Sequence, residues 1–219
     1  MSRIAENIRR IQQEIDEKAK LIVVSKYREI QEIEAAYHFG IRLFAENRVQ
    51  ALLERYEMLP KDIEWHLIGH LQSNKVKYIA EFIAMIHSVD SLKLLEEINV
   101  QAGKFGRKIP CLIQMHLAQE ESKFGIPPNE IKTFFDAAAA LSLPNVQISG
   151  LMAMATFTED KNLIKSEFEQ AHLHFSHIKS EYFSNDASFK ELSIGMSGDY
   201  ILAIEHGSTM VRIGSACFG

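Results

Sequence analysis

The chain has only two cysteines, Cys111 and Cys217, in 219 residues. Both lie in apolar, strand-like runs, so they read as small buried hydrophobes; no disulfide framework is expected, and the cytoplasm is the expected compartment. An excess of charge is missing as well. The formal net charge is −5, without the basic surplus of a nucleic-acid surface. No apolar run approaches the roughly 20 residues of a membrane-spanning helix, so no membrane partner is expected. The opening "MSRIAENIRRIQQEID" has no apolar stretch of the kind a signal peptide uses. No G-x-G-x-x-G turn follows the first strand and no G-x-x-x-x-G-K-[ST] occurs, which argues against the common nucleotide cradles. Linkers, repeats and low-complexity tracts are not evident.

What is present is alternation. Apolar runs predict strands at Leu21–Ser25, Leu43–Ala45, Glu64–Ile68, Met85–Ser88, Pro110–Leu117, Gln147–Ala153, Glu191–Gly195 and Met210–Gly214. Amphipathic stretches between them predict helices, for example "EIQEIEAAYHFG", stopped by Gly40, and "KNLIKSEFEQAHLHFSHIKSEYF". A further helix over 2–18 precedes the first strand, with Ile4, Ile8, Ile11 and Ile15 at helical spacing. Eight strand–helix units point to an α/β fold with one (β/α)8 TIM barrel over 1–219. An open doubly wound sheet is the alternative.

In such a barrel the strands all finish on the functional face. The first finishes at Lys26, the second at Glu46 and Asn47, the third at Gly69 and His70, and the last in "VRIGSA". Lys26 reads either as a rim charge or as a carbonyl-reactive amine. Partial burial beside cations such as Arg28, Lys75, Lys123 and Arg212 would keep that amine neutral and nucleophilic. "SIGMSGD" (193–199) and "RIGSACFG" (212–219) place glycine and serine directly after strands, a pattern that suits a phosphate cradle. A reactive lysine opposite a phosphate cradle suggests pyridoxal 5′-phosphate (PLP).

The stretches "VVSK", "FAENRVQ", "EWHLIGHLQSNK", "IHSVDSLKLLEEIN", "EESKFGI", "GLMAM" and "LSIGMSGDYILAIEHGSTMVRIGSACFG", in this order, resemble the YggS/PROSC-type pyridoxal phosphate homeostasis proteins. That family is similar to the barrel domain of alanine racemase. The resemblance spans essentially the whole chain. It implies that Lys26 forms a Schiff base with PLP and that Ser197, Gly214 and Ser215 hold the phosphate. It also places Arg212 against the pyridine nitrogen, Asn47 beside the cofactor, Met154 near the ring and Lys123 as a rim cation. The family's usual "SKTKP" is "SKYRE" here, so Tyr27 and Arg28 replace a threonine and a lysine.

The implied function is PLP binding in vitamin B6 homeostasis, as a carrier or buffer. Apo PLP-dependent enzymes, free amines or amino acids would be the recipients. A weak racemase is the alternative. Arginine is a poor proton source for the ring, and the second domain that supplies a racemase's opposing base is not seen in this sequence, so no catalytic residue is assigned. A Schiff-base aldolase and a metal enzyme, using His66 and His70 or His172, His174 and His177, are the remaining readings, and no metal ligands are assigned. His66 is expected to be a hydrogen-bonded core residue, and the chain is expected to be a monomer.

Overall fold

A strand with apolar residues on both faces is stable only where both faces are covered, which favours a parallel sheet wrapped by helices. The computed structural model, described for residues 2–120 and 124–219, has this architecture. The strands are β1 (Lys20–Val24), β2 (Leu43–Glu46), β3 (Glu64–Leu67), β4 (Met85–Val89), β5 (Ile109–Met115), β6 (Val146–Ala153), β7 (Glu191–Ser193) and β8 (Met210–Ile213). They pair in sequence order, all parallel, and β1 closes on β8 with Ile22 opposite Arg212 and Val23 opposite Ile213. The open sheet is thereby excluded.

Outside the barrel lie α1 (Arg3–Ile15), α2 (Ile30–His38), α3 (Val49–Met58), α4 (Leu92–Lys104), α5 (Ile131–Ala139), α6 (Lys161–Tyr182), α7 (Tyr200–Glu205) and α8 (Ser215–Phe218). A 3-10 turn, Ser73–Tyr78, takes the place of a helix between β3 and β4.

The period-two rule of strands sorts the core into two parts. Phe44, Trp65, Leu67, Ile86, Ile113, Leu151, Leu192 and Val211 face outward and pack with the helices. Ile22, Val24, Ala45, Met85, Leu112, Met152 and Met210 fill the barrel interior. Cys111 and Cys217 are free and buried, as expected, and burial pushes the Cys217 thiol up to about 12.

Most expected boundaries hold to within one residue; three move by two or more, each for a local reason. α1 stops at Ile15 rather than residue 18, because Asp16 and Glu17 take left-handed conformations. β5 stops at Met115 rather than Leu117. Beyond it the chain turns to the Phe124–Ile126 segment, with His116 N–H donating to the Ile126 carbonyl (2.9 Å) and Ile126 N–H to that of Gln114 (2.8 Å). β7 stops at Ser193 because Gly195 has φ +91°.

α1 lies along α8 and α2. Asn7 donates to the Cys217 carbonyl (3.3 Å), and Ile8 and Ile11 are wholly buried. Ile11→Ala should therefore cost about 2–5 kcal/mol. Urea unfolding is expected to show that loss as a lower midpoint with an unchanged slope; a loss below about 0.5 kcal/mol, the usual size of surface effects, would contradict the buried seat of α1.

Candidate functional site

β1 delivers Lys26 into a four-residue turn closed by Arg28 N–H donating to the Ser25 carbonyl (3.1 Å). Tyr27 occupies this turn at φ +63°, a left-handed conformation that costs a β-carbon-bearing residue about 1–2 kcal/mol. The turn is anchored from below. Ser25 Oγ donates to Glu46 Oε1 (2.7 Å), Arg55 forms an ion pair with the same oxygen (3.5 Å), and Arg55 Nη2 donates to the Arg28 carbonyl (2.6 Å). Glu46 is fully buried, and burial is the main cause of its raised pKa.

Lys26 itself is exposed and has no hydrogen bond or ion pair among the described residues. The partial burial expected from the apolar strand is therefore not found, because the turn lifts the side chain above the rim. Among the described residues, the cations expected around Lys26 do not close a ring about it, and Lys75 instead lines a cavity beyond Asn47. Arg28 is drawn to Glu32 (3.5 Å) and lies over the Phe218 ring, Arg212 is buried inside the barrel, and Lys123 lies outside the described residues.

Beside this turn, Ser197, Gly214 and Ser215 come together. The N–H groups of Gly214 and Ala216 both donate to Ser197 Oγ at 3.3 Å. A β-carbon on Gly214 would stand 3.1 Å from the Val24 carbonyl oxygen, so the cradle is pressed against the last residue of β1. Two converging amides, a hydroxyl between them and the exposed Ser215 form a pocket lip suited to an anion. Ala216 had no role in the sequence reading.

Below the lip runs a polar layer across the barrel. Arg212 Nη1 donates to the Ser193 carbonyl (2.7 Å) and to Ser193 Oγ (2.6 Å), and Nη2 donates to the Ala153 carbonyl (3.0 Å). Ser193 Oγ lies 3.0 Å from His87 Nδ1, and His87 Nε2 lies 2.9 Å from His66 Nδ1.

Ser193 Oγ accepts from Arg212 and can give its own hydrogen to His87 Nδ1. His87 is then protonated on Nε2 and donates to His66. One direction of donation satisfies the whole chain, from guanidinium to imidazole. Burial depresses both imidazole pKa values, that of His66 to about 3 with help from Lys20, so both rings are neutral. Burial also lowers Arg212, to about 10, and it remains charged at neutral pH. Its Nε makes no hydrogen bond among the described residues.

Asn47 follows β2, half-buried; a β-carbon on Gly69 would overlap its carbonyl oxygen, so the two loops touch. Met154, one residue past β6, packs against the interior cluster. All seven residues named for the site thus stand at or just inside one end of the barrel.

His66 is the hydrogen-bonded core residue expected. His87 and Ser193 were missed, although each shares an inward face with a neighbour two residues away. His70 pairs with Asp90 (3.3 Å) rather than with His66, and no group of three metal-binding side chains occurs among the described residues. No described helix is long and apolar enough to cross a membrane.

Comparison with known proteins gives the same architecture. A family model described as "Alanine racemase, N-terminal domain" matches residues 1–219. The pyridoxal phosphate homeostasis protein of Aquifex aeolicus is 38% identical over 92% of this chain and 86% of its own. PipY of Synechococcus elongatus superposes with a TM-score of 0.90 without PLP, at 34% identity over 99% of this chain and 100% of its own. With PLP bound, PipY gives 0.86 at 33% identity and the same coverage. An alanine racemase of Clostridium difficile shares the fold at TM-score 0.79 and 16% identity, over 99% of this chain and 55% of that one.

The neutral imidazoles make stability depend on pH. Below pH 6.5 the unfolded chain protonates His66 and His87 while the fold keeps both neutral, so the stability these two contribute falls as pH falls. For His66 the loss begins near pH 6.5, reaches about 2 kcal/mol by pH 5 and levels off near its folded pKa of about 3. Between pH 7 and 5 the wild type is expected to lose about that much more stability than His66→Gln in urea unfolding. Equal losses would contradict the neutral, buried assignment.

Proposed function

The chain belongs to the family of the alanine racemase N-terminal domain, among relatives named pyridoxal phosphate homeostasis proteins, and from that premise we propose that it binds PLP and serves intracellular vitamin B6 homeostasis as a carrier or buffer. The observation that carries this reading is the convergence of the Gly214 and Ala216 amides on Ser197 Oγ, against the end of the strand that presents Lys26.

The residues fit the cofactor. Ser197, Gly214, Ser215 and the Ala216 amide hold the phosphate. Lys26, exposed and without a hydrogen-bond partner among the described residues, would offer its amine to the aldehyde. Arg212 presents Nε–H to the pyridine nitrogen, held in line by Ser193 and Ala153. Asn47 and Met154 flank the ring. When bound, PLP supplies an aldehyde that condenses reversibly with amines and a ring that withdraws electrons.

The protein is read as a non-enzymatic binder. Arg212 stays protonated at neutral pH and would give the ring a hydrogen bond rather than a proton, which would weaken electron withdrawal. The two nearby imidazoles are neutral and bonded to each other and to Ser193, so neither is aimed at a substrate carbon. The chain is taken to work in the cytoplasm as a monomer, with apo PLP-dependent enzymes, amines and amino acids as recipients.

Loading with PLP should give a visible absorption band that borohydride abolishes while fixing the label on the peptide containing Lys26; Lys26→Ala should abolish the label. A chain that takes up no chromophore would defeat the reading. Multiple-turnover racemisation of alanine that disappears in Lys26→Ala would replace the carrier with an enzyme. Ser197→Ala combined with Ser215→Ala should weaken PLP binding roughly a hundredfold or more, at about 1.5–3 kcal/mol per hydrogen bond to a charged acceptor, and leave pyridoxal binding unchanged. Equal losses for both ligands would contradict the cradle.

A further inference from the structure

Lys26 has polar ground on both sides. Toward β8 lies the phosphate lip. Toward β2, Val24 pairs with Ala45, so two residues on Lys26 and Asn47 leave neighbouring strand ends together. Beyond Asn47 opens a cavity of about 460 Å³ between the β2–α3 connection and the Ser73–Tyr78 turn. Arg48, His70, Gln72 and Lys75 line it, and no aspartate or glutamate does.

Arg48 and Lys75 are exposed, and neither has a carboxylate partner among the described residues; the Lys75 ammonium stands 5.6 Å from the centre of the Tyr78 ring. His70 forms a firm wall, fixed by Asp90 and stacked on Phe124 with ring centres 4.0 Å apart. The cavity therefore joins the lysine's neighbour to two uncommitted cations within a chain of net negative charge.

We infer that this rim cavity is the seat of an amino acid's carboxylate: Arg48 and Lys75 receive the carboxylate while its amine meets the aldehyde held at Lys26. The inference rests on the PLP reading and names the recipient class, α-amino acids in preference to simple amines. A ligand with its phosphate on the β7–β8 lip and its aldehyde at Lys26 has its incoming partner on the far side, where the cavity lies. The exchange moves one C=N linkage from Lys26 Nζ to the incoming nitrogen. Two protons pass from that amine to Lys26, and nothing is oxidised or reduced. Cationic side chains suit the carboxylate, and their exposure makes the preference modest and sensitive to salt.

The test uses two stable reduced conjugates, N-(5′-phosphopyridoxyl)-L-alanine and N-(5′-phosphopyridoxyl)ethylamine, which differ only by the carboxylate. Their affinities for the cofactor-free chain are measured by calorimetry, with wild type and with Arg48→Gln/Lys75→Gln. The wild type should bind the alanine conjugate roughly five- to tenfold more tightly, a gap that closes in 1 M salt. The double variant should bind both conjugates equally and leave the ethylamine conjugate's affinity unchanged. Equal affinities in the wild type, or a gap that survives in the variant, would overturn the carboxylate seat alone. If neither conjugate bound to a chain that still takes up PLP at Lys26, the carboxylate seat would fail alone; if PLP were not taken up either, the PLP reading itself would fail and take this inference with it.

Discussion

The pairing of β1 with β8 is the constraint on which the rest depends. Hydrogen bonding between the first and last strands closes the sheet and sets Ile22 beside Arg212. Two residues further on, the same closure presses Gly214 against Val24, so an amine carried by an early segment and a pair of amides carried by a late one share one lip. A parallel barrel admits no other arrangement, since every strand must finish at the same end. The chemistry of the rim follows from topology before any side chain is chosen.

Below the rim, the barrel exchanges part of its apolar filling for a polar layer. Buried polar groups are costly unless each is paired. Here Arg212, Ser193, His87 and His66 satisfy one another in a single direction of donation. Two backbone carbonyls, of Ser193 and Ala153, take further guanidinium hydrogens and leave Nε free to face a ligand. Neutral rings are essential to this order. A protonated His87 would have no lone pair for Ser193 and would repel Arg212. A second anchored polar group, Glu46 with Ser25 and Arg55, sits under the Lys26 turn and lets a tyrosine persist at a strained backbone angle.

Much of this was legible in the sequence, because alternation of short apolar runs with amphipathic stretches is a local signal. All eight strands were found, and the seven proposed site residues stand at the expected end of the barrel. The end of β5 was not legible. It is set by pairing with the Phe124–Ile126 segment, a contact between parts of the chain that no local pattern announces. The burial of Lys26 was misjudged because an apolar strand says nothing of the turn that follows it. His87 escaped notice for a different reason. An imidazole in an apolar run carries no mark of its partners, and Ser193, more than a hundred residues away, becomes a neighbour only once the barrel closes. The cationic cavity draws on two separate loops, so its coherence is likewise tertiary.

The central claim is that one ligand bridges the two sides of the lip. The most direct measurement is a crystal structure of the chain soaked with PLP. The account predicts continuous density from Lys26 Nζ to the pyridine ring, the phosphate on the Gly214 and Ala216 amides, and Arg212 Nε at the ring nitrogen. Density for PLP elsewhere, with the Lys26 side chain still standing free in solvent, would contradict it.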